Sequence, residues 1–211
     1  MMLNGFWGKF GKRFFDVALS LAIVASLWPV FLVVATLVRL KLGSPVIFSQ
    51  NRLGKDAKEF KLYKFRSMTD ARDSNGELFP DDVRLTPFGR LLRSTSLDEL
   101  PQVANILKGE MSFIGPRATL PAYKNLLLER YPERFLVMPG ITSLPAIRGR
   151  NALDWGQKFS LDVEYVRRFG FMMDFEILIK TIPVVLGREG IEMPGQATAT
   201  RYDHQDNEKK D

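Results

Sequence analysis

The chain has 211 residues, of which 45% are hydrophobic, and its 30 lysines and arginines exceed its 24 acidic residues, for a net charge of +6. It contains no cysteine and one histidine, His204, in a polar tail, which excludes disulfides, thiolate or histidine metal sites, and nucleophile pairs built on histidine. Acid–base or nucleophilic chemistry here must therefore use carboxylates, lysines or tyrosines.

The first predicted element is an uncharged run from 17 to 38, longer than the ~18–20 residues expected of a membrane-crossing segment. Pro29 lies near its middle, where a proline removes a backbone N–H and costs a helix about 3 kcal/mol. Basic residues flank both ends, so the positive-inside rule assigns no orientation. We predict a re-entrant helix that breaks at Pro29 and leaves on the side it entered. A single tilted, kinked span is the alternative.

A soluble domain is predicted to follow. Two β-rich runs around a polar turn at Gly54 predict a β-hairpin within 45–68, and the polar, turn-rich residues 69–86 predict a long loop. Short helices are predicted over 87–92, 97–107 and 122–130, and longer ones over 154–168 and 174–186. The last two mix basic and large apolar residues, so they face either the core or a lipid surface. The polar tail has no periodicity and is predicted to be disordered.

The predicted fold class is therefore α+β and mainly helical. It combines the re-entrant membrane helix-break-helix, a short β-hairpin and amphipathic interface helices. Three parts are expected: a membrane-associated segment with basic flanks over 1–43, a soluble domain over 44–195, and the polar tail over 196–211.

Adjacent carboxylates, Asp98 and Glu99, stand in the stretch SLDELPQ at 96–102. Ser96 and Glu99 have the spacing of a capping box. Alternatively Asp98 itself caps the helix, with Pro101 in the first turn. A helix N-terminus also favours the ionised carboxylate, which would keep Asp98 available as a nucleophile. The spacing alone leaves both the structural and the catalytic interpretation open.

Basic residues recur beside glycine and proline turns around these carboxylates. Guanidinium groups held on rigid turns bind phosphate through two hydrogen bonds. A phosphorylated substrate beside a carboxylate requires such cations, or Mg²⁺, to offset repulsion. The residues in question are Lys64, Arg66, Arg90, Arg93, Arg117, Arg148 and Arg150.

Several stretches, in this order, resemble the small monotopic phosphoglycosyl transferases, the bacterial sugar transferase family. The resemblance runs from about Lys9 to Gly195, and the proline in the membrane segment is part of it. Its motifs are KRFFD at 12–16, FKLYKFRSM at 60–68, RSTSLDELPQ at 93–102, LKGEMSFIGPR at 107–117, PGIT at 139–142 and GRN at 149–151.

The resemblance implies a Mg²⁺-dependent enzyme on the cytoplasmic face of the bacterial inner membrane. Such enzymes transfer a sugar 1-phosphate from a UDP-sugar to undecaprenyl (polyprenyl) phosphate. They release UMP and pass through a covalent phosphosugar–aspartate intermediate, in the first membrane step of glycoconjugate synthesis. Membrane lipid and downstream glycosyl transferases are then expected partners, and nucleic acid is not. The alternative is a non-catalytic, membrane-tethered phosphate-binding or assembly protein.

The resemblance also implies roles for single residues. Asp98 would be the nucleophile and a metal contact, and Glu99 its partner and general base. The chain departs from the family pattern at Trp28, before the membrane proline, and at Ala118, where the family often has a second proline. The implied substrate-binding residues are Lys64, Arg93, Pro116, Arg117, Arg150 and Asp162.

Overall fold

A computed structural model of the chain describes residues 5–149 and 152–187. Arg150 and the predicted tail over 196–211 lie outside these ranges. The helices are α1 (Lys12–Leu42), α2 (Asp81–Arg84), α3 (Pro87–Ser94), α4 (Gln102–Lys108), α5 (Lys124–Arg130), α6 (Leu144–Ile147), α7 (Trp155–Arg168) and α8 (Phe171–Leu186), and the strands are β1 (Ile47–Leu53), β2 (Glu59–Phe65), β3 (Ser112–Ile114) and β4 (Gly140–Thr142).

Helix α1 runs for 31 residues with Pro29 inside it, so the structure does not confirm the predicted break. At ~1.5 Å per residue it is about 46 Å long, more than the hydrocarbon thickness of a bilayer. A proline costs the helix only the bond to the carbonyl one turn back, and the rest of the ladder continues. Just before the proline, the Ser26 hydroxyl donates to the carbonyl oxygen of Ala22 at 2.7 Å. The re-entrant path stays a prediction.

Both ends of α1 contact the remainder of the chain. Near its start, the Asp16 carboxylate accepts hydrogen bonds from the Ser112 hydroxyl and the Phe113 backbone N–H, each at 3.1 Å. Near its end, Val38 and Leu42 are buried in an apolar cluster that also contains residues of β2 and α3. One helix therefore lies along the domain and is fixed to it at two separated points.

The predicted β-hairpin is confirmed. Strands β1 and β2 pair antiparallel, from Ile47 opposite Phe65 to Leu53 opposite Glu59. A second, parallel pair was not predicted: β3 and β4 align Ser112 with Gly140 and Ile114 with Thr142. Each of these strands has three residues, too few for a detectable alternating pattern.

The predicted helices are largely confirmed, with corrections at two places. The loop over 69–86 contains the one-turn helix α2. The helix predicted from 97 begins at Gln102 and follows a 3₁₀ turn over Leu97–Glu99. Helix α8 exposes large apolar side chains, as an interface helix would, but its contact with lipid stays a prediction. These side chains are Phe171, Met172, Phe175, Ile179 and Ile182.

Candidate active site

Asp98 and Glu99 lie in the 3₁₀ turn that connects α3 to α4. Both capping predictions are wrong. Ser96 has a left-handed backbone, with φ 56° and ψ 15°, and makes no side-chain cap, because a capping residue needs an extended backbone. Helix α4 begins after Pro101, also without a side-chain cap. The carboxylates are therefore free of helix capping and are held by other groups.

Lys64 of β2 connects the two carboxylates. Its Nζ lies 2.6 Å from Glu99 Oε1 and 3.7 Å from Asp98 Oδ2. The strand is fixed by Asn105 of α4, whose side chain accepts from the Tyr63 N–H at 3.1 Å and donates to the Lys61 carbonyl at 2.7 Å. Asn105 is fully buried and positions Lys64 through the backbone.

The two carboxylates have opposite pKa shifts. Burial raises the pKa of Asp98 to about 6, and the charge of Glu99 adds to the rise while Lys64 opposes it. Burial also acts to raise the pKa of Glu99, but the charges of Lys64 and Arg117 and hydrogen bonds from Lys64 and Gln102 lower it overall. Glu99 is thus the better-compensated anion, and Asp98 is an ionisable group with an incompletely neutralised charge at pH 7.

Arg93, at the end of α3, supplies a second cation for Asp98. Its Nε donates to the Ser67 hydroxyl at 3.0 Å, and its charge lowers the pKa of Asp98. Helix α3 comes very close to the end of β2 at Gly89, where a Cβ would lie 1.8 Å from the Ser67 carbonyl oxygen. Glycine at this position therefore permits the packing that brings Arg93 to the site.

Arg117 has a fixed main chain and an exposed side chain. Arg134 donates from Nη2 to the Arg117 carbonyl and to Asp162 Oδ2, each at 2.8 Å. Asp162 and Arg134 are both buried, and burial raises the pKa of Asp162 to about 6 although Arg134 opposes the shift. Asp162 therefore supports the Arg117 segment through Arg134, and its predicted role in substrate binding stays a prediction.

The segment after β3 is also joined to the hairpin. The Leu53 N–H donates to the Thr119 carbonyl at 2.8 Å, and Arg52 Nη1 donates to the Ala118 carbonyl at 3.3 Å. Pro116 and Arg117 line a crevice there, together with Leu53 and Gly54. Ala118, which departs from the family pattern, is buried beneath these contacts.

The structure thus brings Lys64, Arg93 and Arg117 close enough to the two carboxylates for their charges to act on the pKa of Asp98 or Glu99. Sequence reasoning missed several residues of the same region. The contact of Gln102 with Glu99 could have been predicted from local spacing, because residues three apart are neighbours on a helical turn. The others had no local signal, since their proximity depends on tertiary packing. They are Arg52, Asn105, Arg134 and Lys158.

The carboxylate pair fits a magnesium site. Mg²⁺ is commonly held by one or two carboxylates together with substrate phosphates and water, and Asp98 and Glu99 are adjacent oxygen donors. The raised pKa of Asp98 means that Lys64 leaves part of its charge uncompensated. Within the two described ranges no three acidic or histidine side chains are arranged so that together they could hold a metal ion. A bound ion would therefore complete its coordination with phosphate and water.

Comparison of the sequence with known proteins identifies a family. A model of the bacterial sugar transferase family matches residues 7–188. The chain is 48% identical over 191 residues to "Uncharacterized sugar transferase EpsL" of Bacillus subtilis (strain 168), covering 90% of this chain and 95% of the relative. It is 40% identical over 190 residues to "UDP-glucose:undecaprenyl-phosphate glucose-1-phosphate transferase" of Klebsiella pneumoniae, covering 85% and 41%.

A further relative has a different sugar in its name. The chain is 35% identical over 185 residues to "UDP-N-acetylgalactosamine-undecaprenyl-phosphate N-acetylgalactosaminephosphotransferase" of Aeromonas hydrophila, covering 84% of this chain and 44% of the relative. The chain therefore spans less than half the length of the Klebsiella and Aeromonas proteins.

Proposed function

The chain belongs to the bacterial sugar transferase family, and from that premise we propose that it transfers a sugar 1-phosphate from a UDP-sugar to undecaprenyl phosphate. The products are UMP and an undecaprenyl diphosphate sugar. The observation that carries the proposal is the contact of one lysine, Lys64, with two adjacent carboxylates of unequal pKa. The printed names of the relatives support the substrate classes.

In the first step, a carboxylate oxygen of Asp98 attacks the phosphorus that bears the sugar. A P–O bond to Asp98 forms, the bond between the two phosphates breaks, and its electron pair stays on the departing UMP. With a pKa of about 6, Asp98 is mostly ionised at pH 7, yet it is a stronger base than an ordinary aspartate, which favours its role as the nucleophile.

In the second step, a phosphate oxygen of undecaprenyl phosphate attacks the same phosphorus. The bond to Asp98 breaks, and Asp98 leaves as a carboxylate. Glu99 is ionised, with a lowered pKa, and accepts a proton if the acceptor phosphate arrives singly protonated. One site thereby serves two bulky substrates in turn, which is the advantage of a covalent intermediate.

Cations are required throughout, because both substrates are anionic. The charges of Lys64 and Arg93 act to lower the pKa of Asp98, and the charge of Arg117 acts to lower the pKa of Glu99. Phosphate oxygens are therefore expected to contact these three side chains. Mg²⁺, held by Asp98 with Glu99 beside it, would neutralise phosphate charge and act as a Lewis acid.

The second substrate is a lipid, so the site must lie at a membrane. We assign the chain to the cytoplasmic face of the bacterial inner membrane in a monotopic arrangement. The contacts at both ends of α1 support this, because a helix fixed twice to one domain is difficult to place across a bilayer. The apolar face of α8 adds surface for the interface. Downstream glycosyl transferases are expected to consume the lipid-linked product.

The test is UMP release by detergent-solubilised protein with undecaprenyl phosphate, Mg²⁺ and a panel of UDP-sugars. Wild type is expected to release UMP from at least one donor and to gain the mass of a sugar phosphate when the lipid acceptor is omitted. Asp98→Asn should lose both signals. Release of UDP would contradict the reaction class, and an adduct retained in Asp98→Asn would remove Asp98 as the nucleophile. Donor binding without turnover would favour the non-catalytic alternative.

A further inference from the structure

Two cations approach the segment that carries Arg117. Arg52 reaches it from β1, with Nη1 on the neighbouring Ala118 carbonyl at 3.3 Å. Lys158 lies on α7 one turn before Asp162, on the face that supports the Arg117 main chain through Arg134. Neither Arg52 nor Lys158 was identified by the motifs.

Among the described side chains, no carboxylate lies within ion-pair distance of this cluster, although the charges of Glu99 and Asp154 act on Arg52 and Lys158 from farther away. Arg52, Arg117 and Lys158 form no ion pair within 4 Å, in contrast to Lys64 and Arg134. Arg52 donates to the Gln50 side chain at 2.8 Å, but its Nε is buried without a hydrogen-bond partner. Lys158 Nζ lies 4.9 Å from the Trp155 ring centroid. Two half-buried cations therefore lie beside an exposed third one.

Mutual repulsion makes such a cluster costly. Burial lowers the pKa of Arg52 to about 10 and also lowers the pKa of Lys158, and in both cases the charge of Arg117 adds to the shift. Solvated surface cations would move apart, whereas these are held by main-chain and ring contacts. An arrangement of this kind is favourable when an anion binds between the cations.

The cluster acts on the carboxylate pair through Glu99. The charge of Arg117 lowers the pKa of Glu99, and the charge of Glu99 acts to raise the pKa of Arg52. Lys64 contacts both carboxylates, whereas the charge of Arg93 lowers the pKa of Asp98. A substrate with two linked phosphates can place one phosphate at Asp98 and the other at this cluster.

Building on the proposed function, we propose that Arg52, Arg117 and Lys158 form the binding site for the phosphate of the departing nucleoside monophosphate. When the bond between the two phosphates breaks, its electron pair and the new negative charge stay on that phosphate. Preorganised cations stabilise charge that develops in the transition state more than they stabilise the bound substrate. The cluster therefore assists the first step, in which UMP departs.

The first test is UMP binding by Asp98→Asn protein in detergent with Mg²⁺, measured by calorimetry. Adding Lys158→Met or Arg52→Gln is expected to weaken binding about tenfold, which corresponds to about 1.4 kcal/mol. Lys158→Arg, which keeps the charge, should bind like the parent. Lys61→Met removes an exposed lysine from the hairpin and is the matched control. Equal affinity in all variants would overturn the inference and leave the proposed function intact.

Failure of the proposed function can be distinguished from failure of the inference about the phosphate site. If neither the Asp98→Asn parent nor wild type binds UMP or inorganic phosphate, the proposed function fails and the inference fails with it. In the active protein, Lys158→Met is expected to raise KM for the donor and slow UMP release about tenfold. A donor KM and a rate of UMP release that are both unchanged in Lys158→Met would refute the assignment to the departing nucleotide.

Discussion

Replacing the proposed nucleophile is expected to stabilise the folded protein. The pKa of Asp98 is about 6, against an ordinary value of 3.8, so the folded state binds a proton more tightly than the unfolded chain does. Between pH 3.8 and about 6 the free energy of unfolding therefore decreases as pH rises. Above pH 7 Asp98 is ionised, and the whole destabilising effect of its buried charge is present. Asp98→Asn removes that cost without changing the shape of the side chain.

The magnitude follows from the difference between the two pKa values. About two pH units at 1.36 kcal/mol each give about 3 kcal/mol in favour of the variant above pH 7. In a chain of this size 1 kcal/mol shifts Tm by about 2–4 °C, so Asp98→Asn is expected to melt about 6–12 °C higher. The increase should shrink as pH falls through 6 and disappear near pH 4, where both proteins carry a neutral group.

The assay is thermal unfolding in detergent and EDTA, because a divalent cation would compensate the carboxylate and mask the effect. Asp70→Asn is the control: its exposed carboxylate is paired with Arg66, and this hydrogen bond lowers its pKa, so the substitution is expected to give no increase in Tm. If Asp98→Asn melts lower than wild type at pH 7.5, or if its Tm difference is independent of pH, then Asp98 is a structural anchor and the reasoning fails.

The remaining predictions concern the cations and the metal. Lys64→Met removes a charge 3.7 Å from Asp98, worth about 1–4 kcal/mol, and should move the acidic limb of covalent-adduct formation up by at least about one pH unit; an unchanged limb in Lys64→Met, or the same shift in Lys64→Arg, would contradict this. Arg134→Met leaves Asp162 buried and unpaired and should lower stability by about 3–5 kcal/mol in denaturant unfolding, whereas Arg134→Met/Asp162→Leu should recover part of the loss; equal loss in both would contradict the buried-pair account. EDTA should stop UMP release and added Mg²⁺ restore it; full activity in EDTA would refute the metal requirement.

Local patterns in the sequence were sufficient for much of the fold. The hairpin was predicted because its alternating runs and Gly54 turn are local signals. Helix α7 begins with a capping box between Asp154 and Gln157, again within four consecutive residues. The expected membrane association of α1 follows from its uncharged run over 17–38, which is a local property of the sequence.

The same local signals were misleading at SLDELPQ. Ser96 and Glu99 have the spacing of a capping box, but Glu99 pairs with Lys64, which lies 35 residues earlier in the chain. The charge-assisted hydrogen bond from Lys64 to Glu99 is stronger than the predicted bond from Glu99 to the Ser96 N–H. Ser96 instead has a left-handed backbone and makes no cap. Local pattern identified the two carboxylates, but it did not identify the group that holds them.

What the sequence alone determined is the inventory of chemistry: the restriction of nucleophilic groups to carboxylates, lysines or tyrosines, basic residues suited to phosphate, and one long apolar segment. Tertiary structure decided which residues share the site. It joined Asp162 to the Arg117 segment through Arg134, and it brought Arg52 to the same segment through the pairing of Leu53 with Thr119. The physical reason is that burial and charge proximity depend on contacts between distant parts of the chain, and these contacts set pKa, exposure and role.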